Sequence, residues 1–428
     1  MPRRFERLHP VEEAVERLSS AVLRVAPPRV EEVGLLEALG RPAACEVRAP
    51  RDLPPLDKSV LDGYAVRSVD VAGASQANPA VLRLAGTVAL TDEPPVLRPG
   101  EAYRVYTGSP LPKGADVVVP VEAARVEGGA LYVYKPYAPG YGVMRRGEDF
   151  SKGDIVVRRG ERVSWWHVGV LAALGVPRLR VYRLPRIALF TVGDEVVEPG
   201  EELRGGMVYD ATKPLLRSYL ESRGFQVIDV GHVGDDPGEI REAYEKGMER
   251  AEIVAAIGGS SVGDRDYTVE VLRGLVEEAG GWMLHGLLLR PGRPLAVAAT
   301  ETHILLSMSG FPVAAWSQAY TVLEHGVYRA YGIPWPPDPL VYAVAARRIV
   351  SAAGVLDVIR VRLCLDGATL RVEPLRVTGS GILSTLTRGN GVVLAEPGVT
   401  GYDEGSLVPV RLLNPAIPPC KGEEHGAA

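Results

Sequence analysis

The chain has 428 residues, of which 46% are hydrophobic and 24% are charged, as is usual for a globular protein in water. Its net charge of −5 gives no general reason to expect nucleic acid binding, and no apolar run is long enough to span a bilayer. The N-terminus lacks the apolar core of a signal peptide, and the three cysteines lack the C-x-x-C spacing of a structural zinc site. These features favour a reducing, cytoplasmic location. Only three Asn and three Gln occur, which predicts a thermophilic source.

Helical patterns begin and end the first part of the chain. Val11 to Val25 carries apolar residues at helical spacing, and the pattern stops at a Pro-Pro pair. Val30 to Leu39 predicts a second short helix, and Ser164 to Leu174 predicts a third. We expect Trp165 and Trp166 of this third helix to be buried by packing.

Between these helices, residues 49–141 alternate short β-rich runs with Pro and Gly turns, which predicts an all-β insert, a barrel or a sandwich. Length alone predicts several domains. We therefore expect a split linking domain of residues 1–48 and 142–184 around a β-rich insert domain of residues 49–141.

A different pattern begins at Arg186, where buried β-type runs alternate with amphipathic helices. This alternation predicts a mostly parallel sheet covered by helices, over residues 185–333. The predicted strands are Ile187–Val192, Phe225–Val230, Ile253–Ile257 and His303–Met308, and the predicted helices are Thr212–Arg223, Gly238–Arg250, Tyr267–Glu278 and Val313–Tyr331.

After a proline-rich linker at residues 334–337, short strands and turns return. We predict a C-terminal β domain over residues 338–414 and a disordered tail over residues 415–428.

The glycine-rich stretch after Ile257 is the strongest candidate for a ligand site. A buried strand, Ile253–Ile257, runs into a loop of Gly, Ser and Val at 258–263, and a helix follows. This arrangement aims backbone N–H groups at an anion, although it matches neither the P-loop nor the dinucleotide fingerprint. Asp264 and Asp266 follow the loop. Two interpretations stay open: they cap the helix, or they hold Mg²⁺ or water beside a phosphate.

Ligands bind open parallel sheets at the carboxyl ends of the strands. Three loops should therefore converge there: Thr191–Glu195, the glycine loop after Ile257, and Ser307–Pro312.

Six segments and two short residue pairs occur in the order in which one enzyme family carries its motifs. They are Leu56–Ala65 (D-x-S-x-M-D-G-Y-A in the family), Tyr106–Asp116 (T-G-A-x-L-P-x-G-A-D), Arg146–Asp154 (G-E-D-I-x-x-G-D), Thr191–Glu195 (T-G-D-E-L), Gly258–Asp266 (G-G-V-S-x-G-D-x-D), Arg290–Pro294 (K-P-G-K-P), and the pairs Gly379-Ser380 and Gly389-Asn390. Over nearly its full length the chain thus resembles the MoeA/gephyrin-type molybdopterin molybdenumtransferases.

The chain also departs from the family's motifs in several places. Leu61 replaces Met, Arg290 and Arg293 replace two lysines, Arg145 is displaced by one position, Thr212 replaces Asn, and Ser309–Ala314 replaces P-G-N-P-V-S. The last change removes an amide and a hydroxyl, and its effect on pterin or metal binding stays open.

The resemblance implies a multidomain α/β plus β fold. It would contain a central MogA-like α/β domain with a mostly parallel sheet, a β-rich insert, a helical or extended N-terminal domain and a C-terminal β-barrel-like domain. It also implies an elongated cytoplasmic homodimer that uses Mg²⁺, inserts molybdate into adenylyl-molybdopterin and releases AMP.

The resemblance assigns roles to individual residues. The catalytic residues would be Asp266, Glu195 and Asp235, with Asp266 and Glu195 as the Mg²⁺ ligands. Adenylyl-molybdopterin would be bound by Gly258, Gly259, Ser261, Gly263, Asp194, Asp62, Thr107 and Asp149. Molybdate would be bound by Arg290, Arg293, Arg360 and Ser380, since guanidinium groups and hydroxyls suit a tetrahedral dianion.

Plainer interpretations of these residues stay open. In these interpretations the arginines near Pro291 are surface charges, and Asp62, Thr107 and Asp149 are turn residues. The alternative for the last three is that they complete a site, either in cis or across the dimer. His285, His303 and His325 show no ligand spacing and are expected to be structural.

Three alternative functions also remain: molybdopterin adenylylation, insertion of tungstate instead of molybdate, and a non-enzymatic scaffold.

Overall fold

The fold is given by a computed structural model that describes residues 7–259, 266–375 and 381–420. Four residues that were assigned a possible role, Ser261, Gly263, Asp264 and Ser380, lie outside the described residues. Within the described residues, no helix is both long and apolar enough to cross a membrane.

Helices are a minority of the structure, and several match the predicted ones closely. The α-helices of the described residues are α1 (Val11–Val25), α2 (Leu35–Ala38), α3 (Ser68–Val71), α4 (Trp165–Ala173), α5 (Thr212–Ser222), α6 (Pro237–Met248), α7 (Tyr267–Glu278), α8 (Pro312–Gln318), α9 (His325–Tyr331) and α10 (Ser384–Arg388). The 3₁₀ turn Val121–Ala123 precedes a strand, and the π-helical segment Ala319–Glu324 joins α8 to α9. The helix predicted from Val313 to Tyr331 is therefore continuous but contains a π segment.

The first part of the chain contains a β-rich insert, as predicted. The strands of this first part, inside and outside the insert, are β1 (Arg29–Gly34), β2 (Val47–Arg48), β3 (Lys58–Ser59), β4 (Gly63–Val66), β5 (Ala80–Val88), β6 (Glu101–Val105), β7 (Val117–Pro120), β8 (Ala124–Glu127), β9 (Ala130–Val133), β10 (Val143–Met144), β11 (Ile155–Val157) and β12 (Arg178–Arg183). Six of them form the insert sheet in the order β7-β4-β6-β5-β9-β8.

The central unit is an α/β sheet, as predicted. Its strands are β13 (Ile187–Val192), β14 (Val196–Val197), β15 (Val208–Tyr209), β16 (Val227–Val233), β17 (Ile253–Gly258), β18 (Trp282–His285), β19 (Leu289–Arg290), β20 (Ala296–Ala299) and β21 (Ile304–Met308). The main sheet has the order β16-β13-β17-β21-β20-β18. The first four strands are parallel and the last two are antiparallel, so the sheet is mostly parallel.

The C-terminal unit is a closed barrel. Its strands are β22 (Leu340–Ala345), β23 (Ile349–Val350), β24 (Leu356–Asp366), β25 (Thr369–Pro374), β26 (Gly391–Ala395), β27 (Gly401–Tyr402) and β28 (Leu407–Leu412). The order β24-β25-β22-β28-β26 is closed by pairing of β26 with β24. Closure removes the sheet edges, and β24 also pairs with β19 of the central unit. The barrel is thereby joined directly to the α/β unit.

Helix α1 belongs to the central core although it comes first in the chain. Its apolar stripe, which includes Val15, Leu18 and Val22, is buried with residues of the central sheet and of α9. Leu18 lies so close to Gly326 of α9 that a Cβ at that glycine would come within 2.6 Å of it. The two helices therefore cross at close range.

The predicted helix Val30–Leu39 is wrong for most of its length. Residues Arg29–Gly34 form β1, which pairs antiparallel with Arg178–Arg183, and only α2 is helical. Val30 and Val33 are β-branched and favour a strand once a partner is present. That partner lies about 150 residues further along the chain, so local periodicity did not reveal it.

The expected burial of Trp165 and Trp166 is also wrong. Their exposed fractions are 74% and 51%, because α4 packs its other side, with Leu171 and His167, against the small core of the linking unit. Two large indoles therefore lie on the surface.

The cysteines are not all reduced, contrary to the expectation from their spacing. Cys364 of β24 and Cys420 form a disulfide, while Cys45 is free. Backbone hydrogen bonds join Leu365 to Pro418 and to Cys420. Residues 415–420, predicted as part of a disordered tail, are thus attached to the barrel.

Candidate active site

The carboxyl ends of β13, β17 and β21 meet at one edge, as the predicted convergence of three loops requires. Gly258 has φ +96°, and a Cβ there would lie 2.4 Å from the carbonyl oxygen of Val192. A Cβ on Gly310 would lie 3.3 Å from the Cα of Gly258. Only glycine permits such close backbone approach at Gly258. The end of β17 therefore packs directly against the backbone of β13 and of the third loop at this edge.

Asp210 joins β13 to the start of α5 at this edge. Its carboxylate accepts a 2.5 Å hydrogen bond from Thr191 Oγ1 and also caps α5, accepting from the backbone N–H of Thr212 and Lys213. Thr212 Oγ1 donates to the Gly310 carbonyl at 2.7 Å. Threonine at the position of the family's Asn thus ties the start of α5 to the third loop. The sequence identified the substitution but not this link.

Asp266 is the N-cap of α7, since its carboxylate accepts from the backbone N–H of Val269 at 3.4 Å. The capping interpretation of this residue is therefore confirmed. Burial raises the pKa of Tyr244, and the charge of Asp266 raises it further. Thr268 of the same helix donates its hydroxyl to the Gly258 carbonyl at 3.3 Å, so the N-terminus of α7 lies beside the carboxyl end of β17.

Asp194 and Asp235 are held together at the ends of the neighbouring strands β13 and β16. The N–H of Asp235 donates to Asp194 Oδ1 at 3.0 Å, and the N–H of Asp194 lies 3.4 Å from Asp235 Oδ2. Glu195 lies close by, because a Cβ on Gly193 would come within 2.7 Å of its Oε2. Three predicted acidic residues are thus brought to one side of the edge.

These carboxylates do not form a closed metal cage. In the part of the chain that the structure describes, no three His, Cys, Asp or Glu side chains converge enough to hold a metal ion. Mg²⁺ commonly binds through one or two carboxylates and the phosphate oxygens of a substrate. The oxygen donors at this edge fit that kind of binding.

The two arginines of the Arg290–Arg293 turn differ sharply in their contacts. Arg290 makes a two-pronged ion pair with Asp357 of the barrel, with Nε 3.0 Å from Oδ1. Arg293 is exposed and its side chain has no hydrogen bond or ion pair among the described residues. The expectation that both guanidinium groups are presented to an anion is therefore not met: Arg293 is available, and Arg290 is committed to Asp357.

Gln318 connects this turn to the carboxyl edge. This fully buried side chain accepts from the backbone N–H of Ser309 at 3.0 Å and donates to the Gly292 carbonyl at 2.9 Å. It therefore fixes the third loop relative to the Arg290–Arg293 turn. Sequence reasoning missed Gln318, although an amide in an apolar helix of a chain with three Gln was a usable signal.

Arg360 lies near the Arg290–Asp357 ion pair and is 3% exposed. Its Nη1 donates to the Val358 carbonyl at 2.6 Å, but its Nε has no hydrogen-bond partner among the described residues. Burial lowers the pKa of Arg360; the charge of Asp357 opposes this shift, and the charge of Arg290 adds to it. A buried guanidinium with unused donors is well suited to receive an anion.

Asp62 and Thr107 lie at the surface of the β-rich insert. Asp62 accepts from the backbone N–H and the hydroxyl of Thr107, at 2.7 and 3.0 Å, and these bonds lower the pKa of Asp62. Asp149 is exposed in a neighbouring loop. Among the described residues, none of the three makes a hydrogen bond or ion pair to the carboxyl edge of the same chain.

Two of the three histidines that were expected to be structural, His303 and His325, contact neighbouring groups of the fold. His303 makes a 2.9 Å hydrogen bond with the Met248 carbonyl, and His325 stacks on Trp335 at 3.9 Å between ring centres.

Three family models together match most of the chain. A model described as the MoeA N-terminal region (domain I and II) matches residues 9–175, a probable molybdopterin binding domain matches residues 188–327, and the MoeA C-terminal region (domain IV) matches residues 342–413.

Individual proteins agree with this assignment. A putative molybdopterin biosynthesis protein from Methanocaldococcus jannaschii is 33% identical over 90% of this chain and 92% of its own length. A molybdopterin molybdenumtransferase from Haemophilus influenzae is 28% identical over 91% and 95%. The crystal structure of the molybdopterin biosynthesis MoeA protein from Pyrococcus horikoshii is 29% identical, covers 95% of this chain and 100% of its own, and has a TM-score of 0.76. This chain belongs to the MoeA family.

Proposed function

We propose that this chain is a molybdopterin molybdenumtransferase, which inserts molybdate into adenylyl-molybdopterin and releases AMP in molybdenum cofactor biosynthesis. The observation that carries the proposal is the edge where the strand ends bring together Gly258, the N-cap Asp266 and the Asp194–Asp235 pair. Family membership and full-length relatives with this activity support it.

In this proposal the phosphoanhydride of the substrate lies on the backbone N–H groups of Gly258 and Gly259. Backbone donors at a strand–helix turn bind phosphate, and they strengthen as charge develops on the leaving AMP. Ser261 and Gly263 are assigned to the same loop by sequence alone. Asp194, Asp62, Thr107 and Asp149 are proposed as further pterin contacts, the last three from the partner subunit of a homodimer.

Asp266, Glu195 and Asp235 are the proposed catalytic carboxylates. Asp266 is held by its capping bond from the Val269 N–H, so its carboxylate would meet the phosphate in a constant orientation. Mg²⁺, held by Asp266 and Glu195 with the phosphate oxygens, would supply charge neutralisation at the anhydride. The residues themselves orient the anhydride and exclude alternative positions of its phosphorus.

Molybdate is proposed to bind Arg293 and Arg360, with Ser380 as a further contact assigned from sequence. Arg360 contributes buried donors, and Arg293 contributes an exposed guanidinium that can close on the oxyanion. Arg290 then acts indirectly, because its charge is balanced by Asp357.

A homodimer is supported by apolar side chains on adjacent helices of the linking unit. Leu36 of α2 and Trp165 and Trp166 of α4 are exposed, and α2 packs beside α4. An exposed apolar cluster of this kind marks an interaction surface. We further propose the domain boundaries given above, a thermophilic source and a cytoplasmic location. The Cys364–Cys420 disulfide agrees with both proposals if the source is a hyperthermophile, because intracellular proteins of hyperthermophiles are disulfide-rich.

The test is direct. Purified protein is incubated with adenylyl-molybdopterin, Mg²⁺ and either molybdate or tungstate; AMP release and the metal content of the pterin product are then measured. The proposal requires AMP release coupled to metal insertion. Binding of adenylyl-molybdopterin without AMP release would contradict the proposal. A preference for tungstate would change the inserted metal but not the reaction.

A further inference from the structure

A groove in the C-terminal barrel contains two arginines that the proposed reaction does not use. Arg362 of β24 and Arg388 at the end of α10 line adjoining cavities of about 620 Å³ and about 420 Å³. Both cavities are also lined by Pro418, from the segment that follows the barrel. Arg362 is half-buried and Arg388 is exposed.

Neither guanidinium is neutralised within the described residues. Arg362 and Arg388 make no side-chain hydrogen bond or ion pair there. Glu373 stands opposite Arg362 in the β24–β25 register, yet these two side chains form no ion pair. Two unneutralised guanidinium groups on one cavity create a local positive site in a chain whose net charge is −5.

One wall of the groove is held in place by hydrogen bonds and a disulfide. Asn390 is buried, and its amide donates to the carbonyls of Leu363 and Ala416 at 3.0 and 2.9 Å while it accepts from the Leu363 N–H at 2.7 Å. The Cys364–Cys420 disulfide attaches the end of the same segment to β24. The wall formed by residues 416–418 is therefore fixed at both ends, which preorganises the cavity.

Arg362 also continues a row that starts at the proposed molybdate site. Ile359, Val361 and Leu363 point into the barrel core, so the alternate residues Arg360 and Arg362 lie on the opposite face of β24. Their Cα atoms are roughly 7 Å apart at the usual rise of a strand. Arg360, with its unpartnered buried Nε, is thus the next cation along from the groove.

We propose that this groove binds a small tetrahedral dianion, either a free oxyanion or the phosphate of a small monoester. Paired guanidinium groups match the oxygens of such a dianion, and the apolar part of the lining at Leu375, Ile417 and Pro418 accommodates an attached organic group. A free oxyanion held here is positioned to move along the arginine row to Arg360; that extension rests on the proposed function, whereas the binding site itself does not.

The test is equilibrium dialysis of the full chain, without pterin, against molybdate, inorganic phosphate and AMP in separate experiments. The variants are Arg388→Ala and Arg388→Glu, and the matched control is Arg348→Ala, an exposed arginine of the same barrel outside the groove. We expect roughly ten-fold weaker dianion binding in Arg388→Ala, a larger loss in Arg388→Glu and no change in Arg348→Ala. Arg362→Gln should resemble Arg388→Ala.

The three ligands separate the two sources of the dianion. If the groove binds molybdate and phosphate but not AMP, its ligand is a free oxyanion. If it binds AMP more tightly than phosphate, its ligand is a monoester. Both outcomes support the site. Wild-type affinity for all three ligands in Arg388→Glu would overturn it. So would an equal loss in Arg348→Ala, which would reveal unspecific surface attraction. Because no reaction is measured, failure of metal insertion would leave this result intact.

Discussion

Arg290 and Asp357 form an ion pair that joins the α/β unit to the C-terminal barrel. They are also register partners where β19 runs beside β24. Asp357 is only 1% exposed and further accepts from Ser351 Oγ at 3.2 Å. The pair therefore secures a junction between two units, and it places the proposed molybdate site at that junction.

Replacing Arg290 should reduce stability, because it leaves a buried carboxylate without its cation. We expect Arg290→Ala to lower the free energy of unfolding by about 2–3 kcal/mol, somewhat less than for a fully buried pair since Arg290 is partly exposed. Chemical denaturation measures the effect. Arg293→Ala is the control and should change stability by less than about 0.5 kcal/mol. Equal effects of the two substitutions would show that the junction does not depend on the ion pair.

Arg293 should matter for the oxyanion rather than for stability. A hydrogen bond to a charged group contributes roughly 1.5–3 kcal/mol, so Arg293→Ala should weaken molybdate binding by about 10- to 100-fold. Adenylyl-molybdopterin binding should change far less, because its phosphates are assigned to Gly258 and Gly259. Each ligand is titrated separately. Lost pterin affinity with unchanged molybdate affinity would place the metal site elsewhere.

Asp266→Asn tests catalysis without disturbing the helix. Asparagine is also a good N-cap, so α7 should form normally and substrate should still bind. Loss of a charged catalytic or metal-positioning oxygen should slow AMP release by about 10²- to 10⁴-fold. Single-turnover assays with pre-bound substrate report the rate. AMP release at the wild-type rate would remove Asp266 from the mechanism and leave Glu195 and Asp235 as candidates.

Glu324 makes stability depend on pH. This fully buried carboxyl group accepts from Tyr219 OH and lies 3.4 Å from Arg223 Nε, and burial raises its pKa to about 7 from an ordinary 4.5. Between these values the folded protein keeps a proton that the unfolded chain has lost. The contribution of Glu324 to stability therefore falls as pH rises from about 4.5 to about 7 and is constant above that.

The variant Glu324→Gln removes this titration. Its free energy of unfolding, taken relative to that of the wild type, should rise across the same pH window and then stay level. Urea denaturation at a series of pH values measures both proteins. Parallel profiles would mean that Glu324 has an ordinary pKa in the folded protein.

The homodimer can be tested by complementation. If Asp62 completes the partner's site, a mixture of Asp266→Asn and Asp62→Asn chains should recover part of the activity that each lacks alone. Trp166→Glu should abolish that recovery by placing charge on the exposed apolar cluster. Sedimentation gives the oligomeric state directly. A wild-type monomer at assay concentration would rule out a shared site.

Local pattern was enough to predict the parallel part of the central unit, whereas its antiparallel strands β18 and β20 were not predicted. Strand β13 and helices α1 and α7 were predicted with the observed ends, because apolar periodicity is set by which face each segment buries. The convergence of three loops at one edge also followed, since parallel strands place their carboxyl ends together. The sequence therefore predicted that Asp194, Glu195 and Asp235 lie at one edge of the sheet.

What only the tertiary structure decided are contacts between segments far apart in the chain. The β1–β12 pairing overrode a local helical pattern, and Asp357 took up the charge of Arg290. Gln318 came to bridge two loops, and Cys364 paired with Cys420. Each depends on which groups the folded chain brings within a few ångströms, and sequence spacing carries no information about that distance.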